Sequence, residues 1–316
     1  MSNRIVITSD YLRPGDTVDA MLRERGLEPV YSPAGGHRTD EEKLDLFQSA
    51  VGAIAASEPI TRDMLASAPA LKVLARAGVG YDNVDTDAAV ELGIRVCNTP
   101  EVNHHAVAEM ALALMLACAR RLNTVLPGVA DGGWPRAAGT ELRSKTLGII
   151  GYGPSGRAIA ALGVALGMRV LVSTAHPDAG ADVSAGIEFA DVDTTIGAAD
   201  YLSLHSRAGK GDPIIGAATF TTMKDSAILI NTARGSLVDE EALVAALKAG
   251  EIAGAGLDVL QCEPIAKTNP LRMMSNVVIT SHLAGQTLEA RERAGVAAAQ
   301  AVIDVLDGKT PRGAVV

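Results

Sequence analysis

Aromatic residues make up only 3% of this chain, so its cores must be built from Ala, Val, Leu and Ile rather than from large rings. Cysteine is scarce. Cys97, Cys118 and Cys262 are scattered, odd in number and without metal-like or disulfide-like spacing. They point to a reducing, cytoplasmic setting. Positive charge is not in surplus: 28 Lys and Arg against 37 Asp and Glu give a formal net charge of −9. Nucleic-acid backbones need clustered cations, so they are not an expected partner. A small anionic ligand stays compatible, because one local arginine outweighs a distant net charge. No apolar run reaches membrane-spanning length. The longest, AVAEMALALMLACA at 106–119, is interrupted by Glu109 and reads as a heavily buried helix and a candidate subunit interface. MSNRIVITSD at the start lacks the apolar core of a signal peptide and reads as a strand. Repeats and low-complexity linkers are missing too.

The 316 residues are 48% hydrophobic and 21% charged, enough for two cored domains. Strand-like and helix-like segments alternate throughout, the mark of an α/β fold with a parallel sheet. The first third offers strands at 5–8, 51–55, 72–75 and 94–98, with helices at 17–25 and 61–66 between them. A second series runs 146–151, 169–173, 201–205, 228–231, 256–260 and 277–280. Six strands opening on a glycine-rich loop suit a doubly wound dinucleotide domain. Long helices after Asn98 and at 288–306 suggest crossings between lobes. The expected division is 1–98 with 287–316 against 99–286, which makes the first domain discontinuous.

Four motifs each follow an apolar, β-branched run: TLGIIGYGPSG (146–156), AILINTARG (227–235), GLDVLQCEP (256–264) and NVVITSHLAG (276–285). Ligands of open parallel sheets bind beyond the carboxyl ends of the strands. One rim would then gather a phosphate loop, a guanidinium, a carboxylate and an imidazole. GYGPSG follows a strand and precedes a helix, the context that G-x-G-x-x-G requires. Gly151 permits the tight turn, Gly153 close backbone approach and Gly156 close helix packing. Pro154 has no N–H to give, whereas Ser155 keeps its N–H and adds a hydroxyl.

The next strand ends Ser173-Thr174-Ala175-His176, without the acid that NAD-specific folds carry there; Asp178 comes late. Thr174 could bond a ribose hydroxyl, and no arginine replaces the acid nearby. NAD and NADP both stay open, with the balance slightly towards NADP. Arg234 lies among Thr232, Ala233, Gly235 and Ser236, small neighbours that allow bidentate contact with a carboxylate. An arginine is more often a surface ion-pair partner, and a lone histidine more often a packed or surface residue. Together, Glu263 and His282 make an acid–base pair with the carboxylate orienting the imidazole. His104 and His105 lack further ligands at metal spacing, so no metal is expected. Gly78-Val79-Gly80 ends a buried strand, and its N–H groups could cradle a carboxylate.

RAGVGYDNVD, NTP followed by NHHAVAE, GYGPSG, NTARGSLVDEEAL, LDVLQCEP and SHLAG together resemble the D-isomer-specific 2-hydroxyacid dehydrogenases, in order and spacing over nearly the whole chain. The likeness includes phosphoglycerate dehydrogenases and hydroxypyruvate reductases, in a short form without a regulatory domain. It implies a Rossmann dinucleotide-binding domain and a discontinuous flavodoxin-like substrate domain, forming a cleft within a homodimer. It implies Arg234, Glu263 and His282 as the catalytic set. Substrate would meet Val79 and Gly80 through their N–H groups, with Asn103, and with Arg76 gripping an anionic tail. NAD or NADP would lie against Gly151, Gly153, Ser155, Gly156, Thr174, His205, Thr232, Ala233, Asp258 and Gly285, with Asp258 on the nicotinamide amide. Pro154, Thr174 and SRAG at 206–209 depart from the family pattern; none touches the Arg–Glu–His set. The implied activity is hydride transfer between NAD(P)(H) and C2 of a 2-hydroxy or 2-keto acid such as phosphoglycerate, glyoxylate or hydroxypyruvate. An NAD(H)-sensing binding protein is the rival reading.

Overall fold

The computed structural model describes residues 3–33, 38–175, 186–207, 209 and 211–316; His176 and Asp178 lie outside them. The chain forms two compact units, Met1–Asn103 with Thr287–Val316, and His104–Gln286. The first crossing falls before His104 rather than after Asn98, because 99–103 form turns and bends and the helix begins only at His104.

In chain order the strands are β1 (Arg4–Ile7), β2 (Glu28–Tyr31), β3 (Gly52–Ala55), β4 (Val73–Arg76), β5 (Arg95–Cys97), β6 (Thr146–Ile150), β7 (Arg169–Ser173), β8 (Ile187–Phe189), β9 (Tyr201–Leu204), β10 (Ile228–Asn231), β11 (Gly254–Leu257) and β12 (Val277–Ile279). The helices are α1 (Thr17–Glu24), α2 (Asp40–Asp45), α3 (Arg62–Ala66), α4 (Thr86–Glu91), α5 (His104–Ala119), α6 (Leu122–Ala130), α7 (Pro154–Ala165), α8 (Val192–Ala198), α9 (Ala217–Phe220), α10 (Glu240–Ala249) and α11 (Leu288–Leu306).

The first unit holds a five-stranded sheet, β2-β1-β3-β4-β5, the flavodoxin-like order. Successive side chains alternate between its faces. Ile5 and Ile7 join Val18 and Leu22 of α1 and Ala298 and Val302 of α11. Val6, Ala53 and Leu74 join Met64 and Leu65 of α3 and Ala88 and Ala89 of α4. With both faces covered, the strands read as continuous apolar runs. The chain returns through α11, and Asn98 N donates to Gly313 O at 2.8 Å beside an antiparallel bridge from Cys97 to Ala314.

The second unit holds seven parallel strands in the order β12-β11-β10-β9-β6-β7-β8. Reversal between β6 and β9 is the doubly wound pattern of a Rossmann fold. Leu147, Ile149, Ile228 and Ile230 pack under α5 and α7. Leu202, Leu204, Leu229 and Leu257 pack under α8, α9 and α10.

Two edge strands were not legible. β2 reads Glu-Pro-Val-Tyr, and its proline fits only an edge. β8 has three residues. β11 starts earlier than expected, at Gly254 rather than Gly256. A Gly-Ala-Gly run carries no β-branched signal, yet it lets α5 sit directly on the sheet. A Cβ on Gly256 would come within 2.9 Å of both Leu114 Cβ and Ile230 Cδ1. Gly256→Val should therefore overpack this layer and cost about 1–3 kcal/mol. Chemical denaturation of the folded variant measures it, and an unchanged midpoint would show that α5 can move away freely.

Candidate active site

One register row of the second sheet reads Ser173, Ile150, Leu204, Asn231, Leu257, Ile279. The next residues along the same strands are Thr174, Gly151, His205, Thr232, Asp258 and Thr280. Parallel strands leave the row in one direction, so all six emerge at a single rim, beyond the carboxyl ends.

The glycine loop is built against that rim. Gly151 has φ +98° and donates to Ser173 O at 2.8 Å. A Cβ there would come within 2.6 Å of Ser206 N, and one on Gly156 would overlap Gly151 O. Gly153 differs: a Cβ would meet nothing within 4 Å. The fold itself does not demand a glycine at 153, so the open space suits a ligand approaching the backbone. Gly153 caps the N-terminus of α7 and Pro154 occupies the first turn, where the missing N–H is one the helix leaves unpaired anyway. Ser155 N–H remains at the positive end of the helix dipole.

Both ring nitrogens of His205 are used inside the protein. Nε2 lies 2.8 Å from Ser203 Oγ and Nδ1 3.2 Å from Ser155 Oγ. Burial pushes its pKa down to about 4, so the neutral ring braces the loop from beneath. Beside it, Ser206 Oγ and Thr232 Oγ1 are buried without a hydrogen-bond partner among the described residues. Buried hydroxyls ordinarily find one. With the dipole end of α7 and the open face of Gly153, they make a rim that fits a dinucleotide. Ser206 was missed in the sequence, where only its place after His205 marks it.

Arg234 lies at the other end of the rim, half-buried, with Nη1 donating to Ala233 O at 2.7 Å. Gly235 follows it and must be glycine, because a Cβ would overlap the Leu260 carbonyl. That close approach brings the loop after β11 against the Arg234 turn. In this loop Glu263 Oε1 accepts from Leu260 N at 2.9 Å, and Oε2 lies 2.7 Å from His282 Nδ1. The Arg–Glu–His set expected from sequence is thus gathered in one unit.

His282 adopts a left-handed backbone, φ +58°. Asp258 accounts for it. Its carbonyl accepts from His282 N at 2.9 Å, and its carboxylate accepts from Leu283 N and Ala284 N at 2.8 Å and from Thr280 Oγ1 at 2.5 Å. Only 1% exposed, Asp258 spends its charge on the loop that carries His282 and leads to Gly285.

The remaining candidates belong to the first unit. Arg76 ends β4, folds back over Gly78 and donates from Nη1 to Ala77 O at 2.6 Å. Gly78 O accepts from Thr99 N at 3.0 Å and Val79 O from Asn98 Nδ2 at 2.7 Å, which pins the carbonyls of the loop that leads to Gly80. Asn103 is half-buried just before α5.

The family pattern for the D-isomer specific 2-hydroxyacid dehydrogenase NAD binding domain matches residues 112–284. D-3-phosphoglycerate dehydrogenase of Archaeoglobus fulgidus is 36% identical over 297 residues, 93% of this chain and 56% of that protein. This chain therefore spans about half the length of that relative. Hydroxypyruvate reductase of Thermotoga maritima is 39% identical over 242 residues, 75% of this chain and 78% of that protein. A crystal structure of a Thermus thermophilus protein matches with a TM-score of 0.90 and 36% identity, covering 99% of this chain and 100% of that one. By sequence and by fold, the chain belongs to the D-isomer-specific 2-hydroxyacid dehydrogenases.

Proposed function

We propose that this protein is a nicotinamide-dependent oxidoreductase that interconverts a 2-keto acid and its D-2-hydroxy acid. The observation that carries the reading is the His282–Glu263 pair, 2.7 Å apart, on the same rim as the glycine loop. A nicotinamide dinucleotide, when bound, supplies or accepts the hydride at C2. Gly151, Gly153, Ser155, Gly156, Thr232 and Ala233 are proposed to hold it, with Gly285 at the far side. Arg234 binds the substrate carboxylate with its planar fork and polarises the neighbouring carbonyl. With Nδ1 held by Glu263, His282 exchanges its proton through Nε2, giving it to the developing alkoxide in reduction. Arg76, Val79, Gly80 and Asn103 are the proposed substrate contacts of the first unit. A protein that only reported cofactor levels would have no use for the Arg–Glu–His set.

For the cofactor, NADP(H) is proposed to be accepted alongside NAD(H). Thr174 follows the tip of β7, whose Ser173 carbonyl holds Gly151 N, and among the described residues no carboxylate occupies the strand-tip positions 173–175 to repel a 2′-phosphate. A homodimer is proposed from α6, which buries none of its residues. Leu116 on α5, Leu126 and Val129 on α6 and Trp134 after it are 41%, 63%, 45% and 82% exposed, apolar side chains that a partner would cover. No single described helix is long and apolar enough to cross a membrane. With its free cysteines, the chain suits the cytoplasm.

Three outcomes test the reading. A panel of 2-keto acids assayed with NADH and NADPH should show oxidation of at least one cofactor, and His282→Asn should lower kcat by roughly 100-fold or more with cofactor binding retained. Near-normal turnover in that folded variant would remove His282 from the chemistry. Thr174→Asp should move the ratio of kcat/KM values towards NAD(H) by about 1–3 kcal/mol; a wild type with no NADPH turnover would sink the tolerance claim. In sedimentation equilibrium the wild type should be a dimer and Leu126→Asp should shift it towards monomer, whereas a monomeric wild type refutes the dimer.

A further inference from the structure

The turn that presents Arg234 is closed by one buried amide. Asn231 is the last residue of β10 and 1% exposed. Its Nδ2 donates to Arg234 O at 2.9 Å and its Oδ1 accepts from Ala233 N at 3.0 Å. The network fixes which way the amide points, because an N–H can only donate and a carbonyl only accept. Two bonds from one rigid side chain thus span the turn and set the direction in which Arg234 leaves it. Arg234 enters extended, at φ −146° and ψ 140°, just before a short 3-10 turn at Gly235–Leu237. On its other side the Asn231 carbonyl accepts from Asp258 N at 2.9 Å. Asp258 in turn holds the backbone after His282.

We propose that Asn231 is a positioning residue for the carboxylate grip, acting through the backbone of Arg234 without touching substrate. The inference rests on the role proposed above for Arg234. It explains the residue type. Aspartate has the same shape but no donor, and would set a charge against the Arg234 carbonyl in a buried place. Serine is too short to reach both groups. Misplacing a binding group by about 1 Å can cost about 100-fold, so the amide has a large lever on rate through a small displacement.

The test is a double-mutant cycle with a structural readout. Asn231→Asp and Asn231→Ala should each lower kcat/KM for the 2-keto acid by about 100-fold, while the Kd for NAD(P)H, read by fluorescence and carried largely by the glycine loop, changes far less. Asn231→Ala combined with Arg234→Gln should fall no further than Arg234→Gln alone, because both remove the same grip. Wild-type kinetics in a folded Asn231 variant, or losses that multiply in the double variant, would overturn the proposal. Should Asn231→Asp fail to fold, Asn231→Ala gives the same readout without burying a charge. Crystal structures decide independently of activity. The 232–235 backbone should leave its path in Asn231→Ala, and an unchanged turn refutes the positioning role. A wild type inactive on every 2-keto acid would instead sink the functional reading, with the crystallographic comparison still deciding what Asn231 does.

Discussion

The site depends on the parallel register of the second sheet. A single row through Ser173, Ile150, Leu204, Asn231, Leu257 and Ile279 determines where six loops begin. A slip of one residue in any strand would turn its side chains to the opposite face. It would also move its loop by one strand residue, roughly 3.3 Å. Apolar residues before the row hold it by burial on both faces, and the loops after it carry the residues proposed for the chemistry. Stability and function thus occupy successive positions of the same strands.

Buried polar groups convert that register into orientation. His205 braces the glycine loop, Asn231 closes the Arg234 turn and Asp258 holds the His282 loop. Each sits 9% exposed or less and has its partners inside the protein. Such groups are costly unless satisfied, and satisfied they permit one arrangement. The bond from Asp258 N to Asn231 O joins two of them, so the guanidinium and the imidazole share a frame. The strained backbone of His282 is compatible with this: a left-handed residue persists where its surroundings over-determine it.

Much of this was legible in the sequence, for a physical reason. Apolar runs of strand length and a glycine loop between strand and helix are local signals, and Arg234, Glu263 and His282 fall directly after such runs. What escaped is non-local. Asn231 looks like the polar end of a strand until its amide is seen bonded three residues on. The Asp258 carboxylate accepts from residues more than twenty positions away, bonds that nothing local in the sequence marks. Ser206 carries no pattern of its own. The early start of β11 in Gly-Ala-Gly escaped because its signal belongs to its neighbours: a Cβ on Gly256 would meet Leu114 on α5 and Ile230 on β10. Pro154, an oddity in the sequence, becomes unremarkable at the first turn of a helix.

The order of the sheet also separates two tasks. Thr174 follows β7, three strands from β10 in the order β11-β10-β9-β6-β7, and faces the part of the rim proposed for the adenosine ribose. Arg234, Glu263 and His282 follow β10, β11 and β12. A change of charge at Thr174 acts within a Debye length of about 10 Å in ordinary salt. If Thr174 meets the ribose as proposed, substitution at this one strand tip would alter cofactor preference, while the residues proposed for proton transfer lie at the opposite end of the row. The loss of an acid at 174 beside an intact Arg–Glu–His set is the pattern that such a separation allows.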